Sequence, residues 1–150
     1  MSLTPFHLAF PVSDLDATRR FYTEVLGCRE GRSAERWVDF DFHGHQISAH
    51  LRAGGMVAGG GAAGGGPGDV ASNPVDGDTV PIPHFGLVLS MDNWEKVAER
   101  VRGQGVEFII GPRIRFQGEP GEQGTFFVRD PSGNAIEIKG FRDEAMIFAT

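Results

Sequence analysis

The spacing of apolar residues changes period along the chain, and the same changes recur in its second half. Phe6, Leu8 and Phe10 alternate with His7 and Ala9, the two-residue period of a half-buried strand. From Asp14 to Leu26 the spacing lengthens. Leu15, Phe21, Tyr22, Val25 and Leu26 predict a helix, with Ser13 as its N-cap and Gly27 as a left-handed C-terminal residue. Short strands follow, ending in Gly44-His45-Gln46-Ile47-Ser48-Ala49-His50-Leu51. The second half begins again with His84-Phe85-Gly86-Leu87-Val88-Leu89. A helix is predicted from about Asn93 to Arg102, where Trp94, Val97, Ala98 and Val101 form one stripe and Asp92 is the expected cap. Short strands again follow, ending in Gly133-Asn134-Ala135-Ile136-Glu137-Ile138-Lys139 after the turn signal Asp130-Pro131-Ser132-Gly133.

Each half therefore reads strand, helix, then about three strands, and a repeat constrains architecture more tightly than local propensity does. The predicted fold is α+β, two paired βαβββ modules. Module one spans about 4–52, module two about 81–141, and a tail runs from 142 to 150. Between the modules, about 53–80, composition shifts: nine of the 22 glycines fall between Ala53 and Gly68. With little there to bury, this stretch is expected to be a linker. No Gly-Lys-Ser/Thr follows the tract, so it is not a phosphate loop.

The remaining composition narrows the class. One cysteine, Cys28, excludes an internal disulfide framework. A net charge of −6 without a cluster of Lys and Arg argues against nucleic acid and anionic membranes as partners. Neither an 18-residue apolar run nor a signal-like start is present, which makes the cytoplasm the expected compartment.

Strand phase then assigns faces. If Phe6, Leu8 and Phe10 pack on the helices, His7 and Ala9 point away; the same parity turns His84, Gly86 and Val88 outward, and Glu137 opposite Ile136 and Ile138. A single strand histidine is more often structural than a ligand. Here three independent phases agree, and two of the residues occupy equivalent positions of a repeat. Should the sheets curve toward each other, His7, His84 and Glu137 line a common cleft, with small Ala9 and Gly86 leaving room for a ligand. Two histidines and one carboxylate with open positions suit Fe(II) oxygen chemistry, and also Mn(II), Zn(II) or Ni(II).

The segments Phe6–Leu15, Phe21–Gly27, Pro83–Gly86 and Phe127–Glu137 together resemble the vicinal oxygen chelate superfamily, the group of glyoxalases, bleomycin-resistance proteins and extradiol dioxygenases. The resemblance implies two modules whose sheets form an open barrel around a divalent metal, with ligands at His7, His84 and Glu137. It also implies a small-molecule substrate and a homodimer. Glyoxalase I-like members add a carboxylate at the position where this chain has Ser48, which counts against that activity. The expected function is an extradiol dioxygenase-like enzyme holding Fe(II), a diol and dioxygen. The alternatives are a nucleophile transferase of the fosfomycin-resistance type, a glyoxalase-like isomerase, and a metal-free binding protein.

Other residues receive roles from phase and place. Gln46, Ser48 and His50 share one face of their strand; His50 suits acid–base catalysis, since imidazole titrates near neutrality, while Gln46 and Ser48 are expected at the substrate. The loop from Phe116 to Gly124 has the composition of a flap, with Glu122 or Gln123 touching substrate. Arg113 and Arg115 suit an anionic ligand, and His43 and His45 are read as exposed loop residues. Met146, Ile147 and Phe148 in the tail are an apolar set suited to covering the barrel or a second subunit.

Overall fold

Alternating apolar residues build two four-stranded sheets of one pattern. The computed structural model describes residues 3–52 and 72–150. The first sheet is formed by β1 (His7–Val12), β2 (Arg29–Ala34), β3 (Trp37–Phe42) and β4 (His45–Leu51), in the order β1-β4-β3-β2. After a hairpin of β5 (Ser72–Val75) and β6 (Asp78–Pro81), the second is formed by β7 (His84–Ser90), β8 (Phe108–Arg115), β9 (Gln123–Arg129) and β10 (Ala135–Phe141), ordered β7-β10-β9-β8. In both, the first strand of the module pairs in parallel with the last and the other pairings are antiparallel. The fold is α+β with two βαβββ-like modules, as the repeat in the sequence predicts.

The chain divides into two units. Among the described residues, one comprises 3–52 with the turn Asp130–Gly133, and the other 72–129 with 134–150. In the first, α1 (Leu15–Arg20) continues as a π-helical turn, Phe21–Val25. Its cap is Asp14, whose carboxylate accepts from the Ala17 amide, rather than the expected Ser13. The Ser13 amide instead donates to Ser132 Oγ at 2.9 Å. Tyr22 is fully buried, stacks on Phe40 at 5.1 Å and donates its hydroxyl to Asp130 at 3.1 Å.

In the second unit, α2 (Met91–Gly103) starts earlier than expected, because Ser90, not Asp92, accepts from the Asn93 amide. Its buried stripe is Met91, Trp94, Val97, Ala98 and Val101. The Trp94 indole donates to the Ile138 carbonyl at 3.0 Å and lies on Gly124 and Gly140, where a Cβ would stand 2.8 and 2.7 Å from the ring.

Three expectations change. Phe6 precedes β1 and is 61% exposed, so only the later apolar residues of that strand reach the core. The glycine tract lies outside the described residues, but the end of the expected linker is structured: β5 and β6 pair around Asp76-Gly77. Positive φ at both residues, 46° and 87°, gives the two-residue turn whose twist matches paired strands. His43-Gly44, at 52° and 93°, makes the same turn between β3 and β4. In the tail, Phe148 stays 91% exposed in the single chain, so of its two expected roles covering a second subunit is the one left to it.

Candidate metal-binding residues

Strand pairing in the second unit sets His84 and Glu137 diagonally across β7 and β10, since Glu137 lies opposite Gly86. Their Nε2 and Oε2 are 3.1 Å apart. Each group is oriented from behind. His84 Nδ1 lies 2.7 Å from the Pro81 carbonyl, which can only accept, so Nδ1 carries the proton and Nε2 faces the carboxylate. Thr125 Oγ1 donates to Glu137 Oε1 at 2.7 Å, leaving Oε2 toward the imidazole. Phe127 packs edge-on against the His84 ring, with centroids 5.1 Å apart.

The first unit treats His7 alike. Its Nδ1 lies 2.8 Å from Gln46 Oε1, an acceptor, so Nδ1 again carries the proton and Nε2 is left with its lone pair. Gln46 is fixed in turn by donating from Nε2 to Asp39 Oδ2 at 3.2 Å, and Ser48 Oγ donates to Asp39 Oδ1 at 2.5 Å. Metal-ligating histidines are held in this way, with the second ring nitrogen donating to a fixed acceptor.

The donor set fits a divalent cation. Between a lone-pair nitrogen and a carboxylate oxygen at 3.1 Å there must be a proton or a metal, because two acceptors repel. Among the described residues, neither unit by itself gathers three His, Cys, Asp or Glu side chains into a cage. The structure brings His84 and Glu137 together within one unit, and presents His7 with the same tautomer in the other.

The other expected residues fall variously. Ser48 is buried against Asp39, and Gln46 is held between Asp39 and His7. His50 is exposed on β4, opposite Trp37. Glu122 closes its own loop: its carboxylate accepts from Arg142 Nε at 2.8 Å and from the Gly118 amide, and the arginine bond holds it below the usual carboxylate range. Gln123 is the first residue of β9. His45 accepts from the Phe6 amide, and His43 lies 3.3 Å from the Leu26 carbonyl.

Gly86 has a different purpose from the one expected. A Cβ there would stand 1.5 Å from the Glu137 carbonyl oxygen, so the space is taken by the partner strand's backbone. Sequence reasoning missed Asp39 and Thr125. Both were signalled by alternation: Asp39 shares the face of Trp37 and Asp41, opposite Val38 and Phe40, and Thr125 shares that of Phe127.

A family model described as Glyoxalase/Bleomycin resistance protein/Dioxygenase superfamily matches residues 4–138. The chain belongs to that superfamily, the vicinal oxygen chelate group. It is 27% identical over 135 residues to Virulence protein STM3117 of Salmonella typhimurium, covering 90% of this chain and 82% of the relative. Among solved structures it resembles a glyoxalase/bleomycin resistance protein/dioxygenase from Alicyclobacillus acidocaldarius, with 29% identity, TM-score 0.72, and coverage of 97% of this chain and 96% of the other. The fosfomycin resistance protein FosX of Listeria monocytogenes shares the fold at 18% identity and TM-score 0.63, covering 98% of this chain and 100% of that one.

Proposed function

We propose that the chain is a metal-dependent enzyme in which His84, Glu137 and His7 hold a divalent ion, and that its substrate presents two adjacent oxygens. The observation that carries this is the shared tautomer. His7 and His84, at corresponding positions of the two modules, both give up Nδ1 to a protein acceptor and present Nε2, and Glu137 is turned toward His84 by Thr125.

When bound, the ion supplies Lewis-acid charge and, as Fe(II), electrons for oxygen chemistry. The chain's own residues do the rest. Thr125 and the Pro81 carbonyl fix the directions of the carboxylate and the imidazole, and Asp39 fixes Gln46 and hence His7. Phe127 forms an apolar wall beside the site. His50, exposed on β4, is the proposed acid–base residue. Extradiol cleavage of a catechol, with both atoms of dioxygen entering the ring-opened product, is the reaction to test first. Addition of a nucleophile without oxygen is the second reading. The basic lining of the cavity beside Glu137 favours it, because that lining suits an anionic substrate better than a neutral diol.

The test is anaerobic reconstitution with Fe(II), Mn(II), Zn(II) and Ni(II) in turn, followed by metal analysis and a catechol panel in an oxygen electrode. One ion per chain is expected, with at least a tenfold loss of affinity in His84→Ala, His7→Ala and Glu137→Gln. Substoichiometric metal that these substitutions do not change overturns the enzyme reading in favour of a metal-free binding protein. Full metal loading without oxygen uptake on any diol removes the dioxygenase and leaves the transferase. A homodimer is proposed with it, and is checked by sedimentation equilibrium.

A further inference from the structure

We propose that the β5–β6 hairpin positions His84, and that Asp78 and Asp76 are the residues that hold the hairpin in place, through Arg113 and Arg115. That His84 is a metal ligand rests on the proposed function; the link from hairpin to imidazole rests on the second unit alone.

The hairpin does not hold itself. Among the described residues its strands pair only with each other, as a two-stranded sheet apart from β7-β10-β9-β8, and β5 is exposed along its length. Such a hairpin is marginal in water on its own. Within its strands only Val80 and Pro81, at the end of β6, are buried. The rest of the hold is ionic. Arg113 and Arg115, two apart on β8 and on one face, reach the turn and the first residue of β6: Arg115 Nη1 meets Asp76 at 2.5 Å, and Arg113 Nη2 meets Asp78. The contacting atoms of Arg113 and Asp78 are both buried, so salt screens this pair far less than one in open water. Held down in this way, Val75, Asp78 and Val80 roof a cavity of about 160 Å³ with His84 and Glu137 on its walls.

The held hairpin reaches the imidazole. Pro81 ends β6, and Ile82 and Pro83 alone separate it from His84. The ring has an acceptor at each nitrogen, the Pro81 carbonyl 2.7 Å from Nδ1 and Glu137 Oε2 3.1 Å from Nε2. The carboxylate is the stronger acceptor. The proton therefore stays on Nδ1 only while the carbonyl is kept at hydrogen-bond distance. If the hairpin lifts, Nε2 carries the proton toward Glu137, and the lone pair that a cation needs is lost.

The two modules differ at this point. His7 pairs with Gln46 across β1 and β4, and the Gln46 side chain accepts from Nδ1. His84 stands at the corresponding place on β7, but its partner on β10 is Ala135, whose methyl group accepts nothing. The backbone of the hairpin does for His84 what the Gln46 amide does for His7.

The experiment is long-range ¹⁵N–¹H correlation on the metal-free, full-length protein at about pH 8, above the usual imidazole value, with amide hydrogen exchange on the same samples. In wild type, Nδ1 of both His84 and His7 is expected to carry a proton. Asp78→Asn and Arg113→Gln should speed exchange of the β5–β6 amides severalfold and move the His84 proton to Nε2. His7 should be unchanged, a control that general loss of structure would also disturb. Arg113→Lys, which keeps the charge, should retain the Nδ1 proton. Metal affinity should fall by about 10–100-fold in the two breaking variants. If either fails to fold, Asp76→Asn, at the more exposed pair, should show the same shift to a smaller extent. A hairpin that exchanges faster while His84 keeps its Nδ1 proton overturns the proposal, as does unchanged exchange in all three breaking variants. Failure of the metal reading looks different: wild-type protein that takes up no stoichiometric metal, yet moves the His84 proton in Asp78→Asn, overturns the metal site and leaves the hairpin's role standing.

Discussion

Tyr22 is the chain's one tyrosine, and its phenol is held well above the usual tyrosine range, first by burial and then by the Asp130 carboxylate beside it. A group whose folded pKa is raised adds stability that is complete below its unfolded value, near 10, and that is lost as pH climbs toward the folded one. Phenolate absorbance at 295 nm should therefore emerge only together with unfolding, above about pH 10, and Tyr22→Phe should flatten the alkaline loss of stability. A tyrosine that titrates near its ordinary value while the far-ultraviolet signal is unchanged contradicts this. Gly86 supports an opposite pair of substitutions. In Gly86→Ala the Cβ meets the Glu137 carbonyl, so urea melts should show a loss of at least about 2 kcal/mol, in the overpacking range. In Gly103→Ala, with open space at the end of α2, a gain of up to ~1 kcal/mol is expected. The sequence identified Gly86 as special because it neighbours His84; only the pairing of β7 with β10 shows what makes it so.

Strands and their turns organise the chemistry at the next scale. The parity of β1, β7 and β10 was legible because large apolar residues recur at every second position (Leu8, Phe10 and Val12; Phe85, Leu87 and Leu89; Ile136 and Ile138), and it selected His7, His84 and Glu137. The residues behind them were harder to read. Gln46 and Asp39 reach His7 only through the register of β1 on β4 and of β4 on β3, which no local pattern reveals. Removing the carboxylate in Asp39→Leu should free the Gln46 amide and lower the Nδ1–H tautomer of His7. Long-range ¹⁵N–¹H correlation on metal-free protein reads that population directly. A drop of about 10–100-fold in metal affinity should accompany it, as for other residues that orient a ligand, and an unchanged tautomer would show that His7 is oriented by something else. The hairpin of β5 and β6 had a local signal, Asp76-Gly77 between Val75 and Asp78, which the polar and glycine-rich composition upstream concealed.

For the molecule as a whole, the duplicated order of strand, helix and three strands was readable from one sequence, because each module repeats the same change from period two to helical spacing and back. Among the described residues no helix is long and apolar enough to cross a membrane, and the two sheets share one strand order. Family membership follows from the match over residues 4–138, and it fixes the scaffold without fixing the reaction. What the sequence alone determined is therefore the architecture and the parity of the candidate ligands, since periodicity is a local property written in consecutive residues. What only the tertiary structure decided is which nitrogen His7 and His84 present, that Glu122 is tied to Arg142, and that Arg113 and Arg115 are ion-paired to the β5–β6 hairpin. Those depend on neighbours from distant parts of the chain, and hydrogen bonds act over about 3 Å, a distance that only the folded register sets.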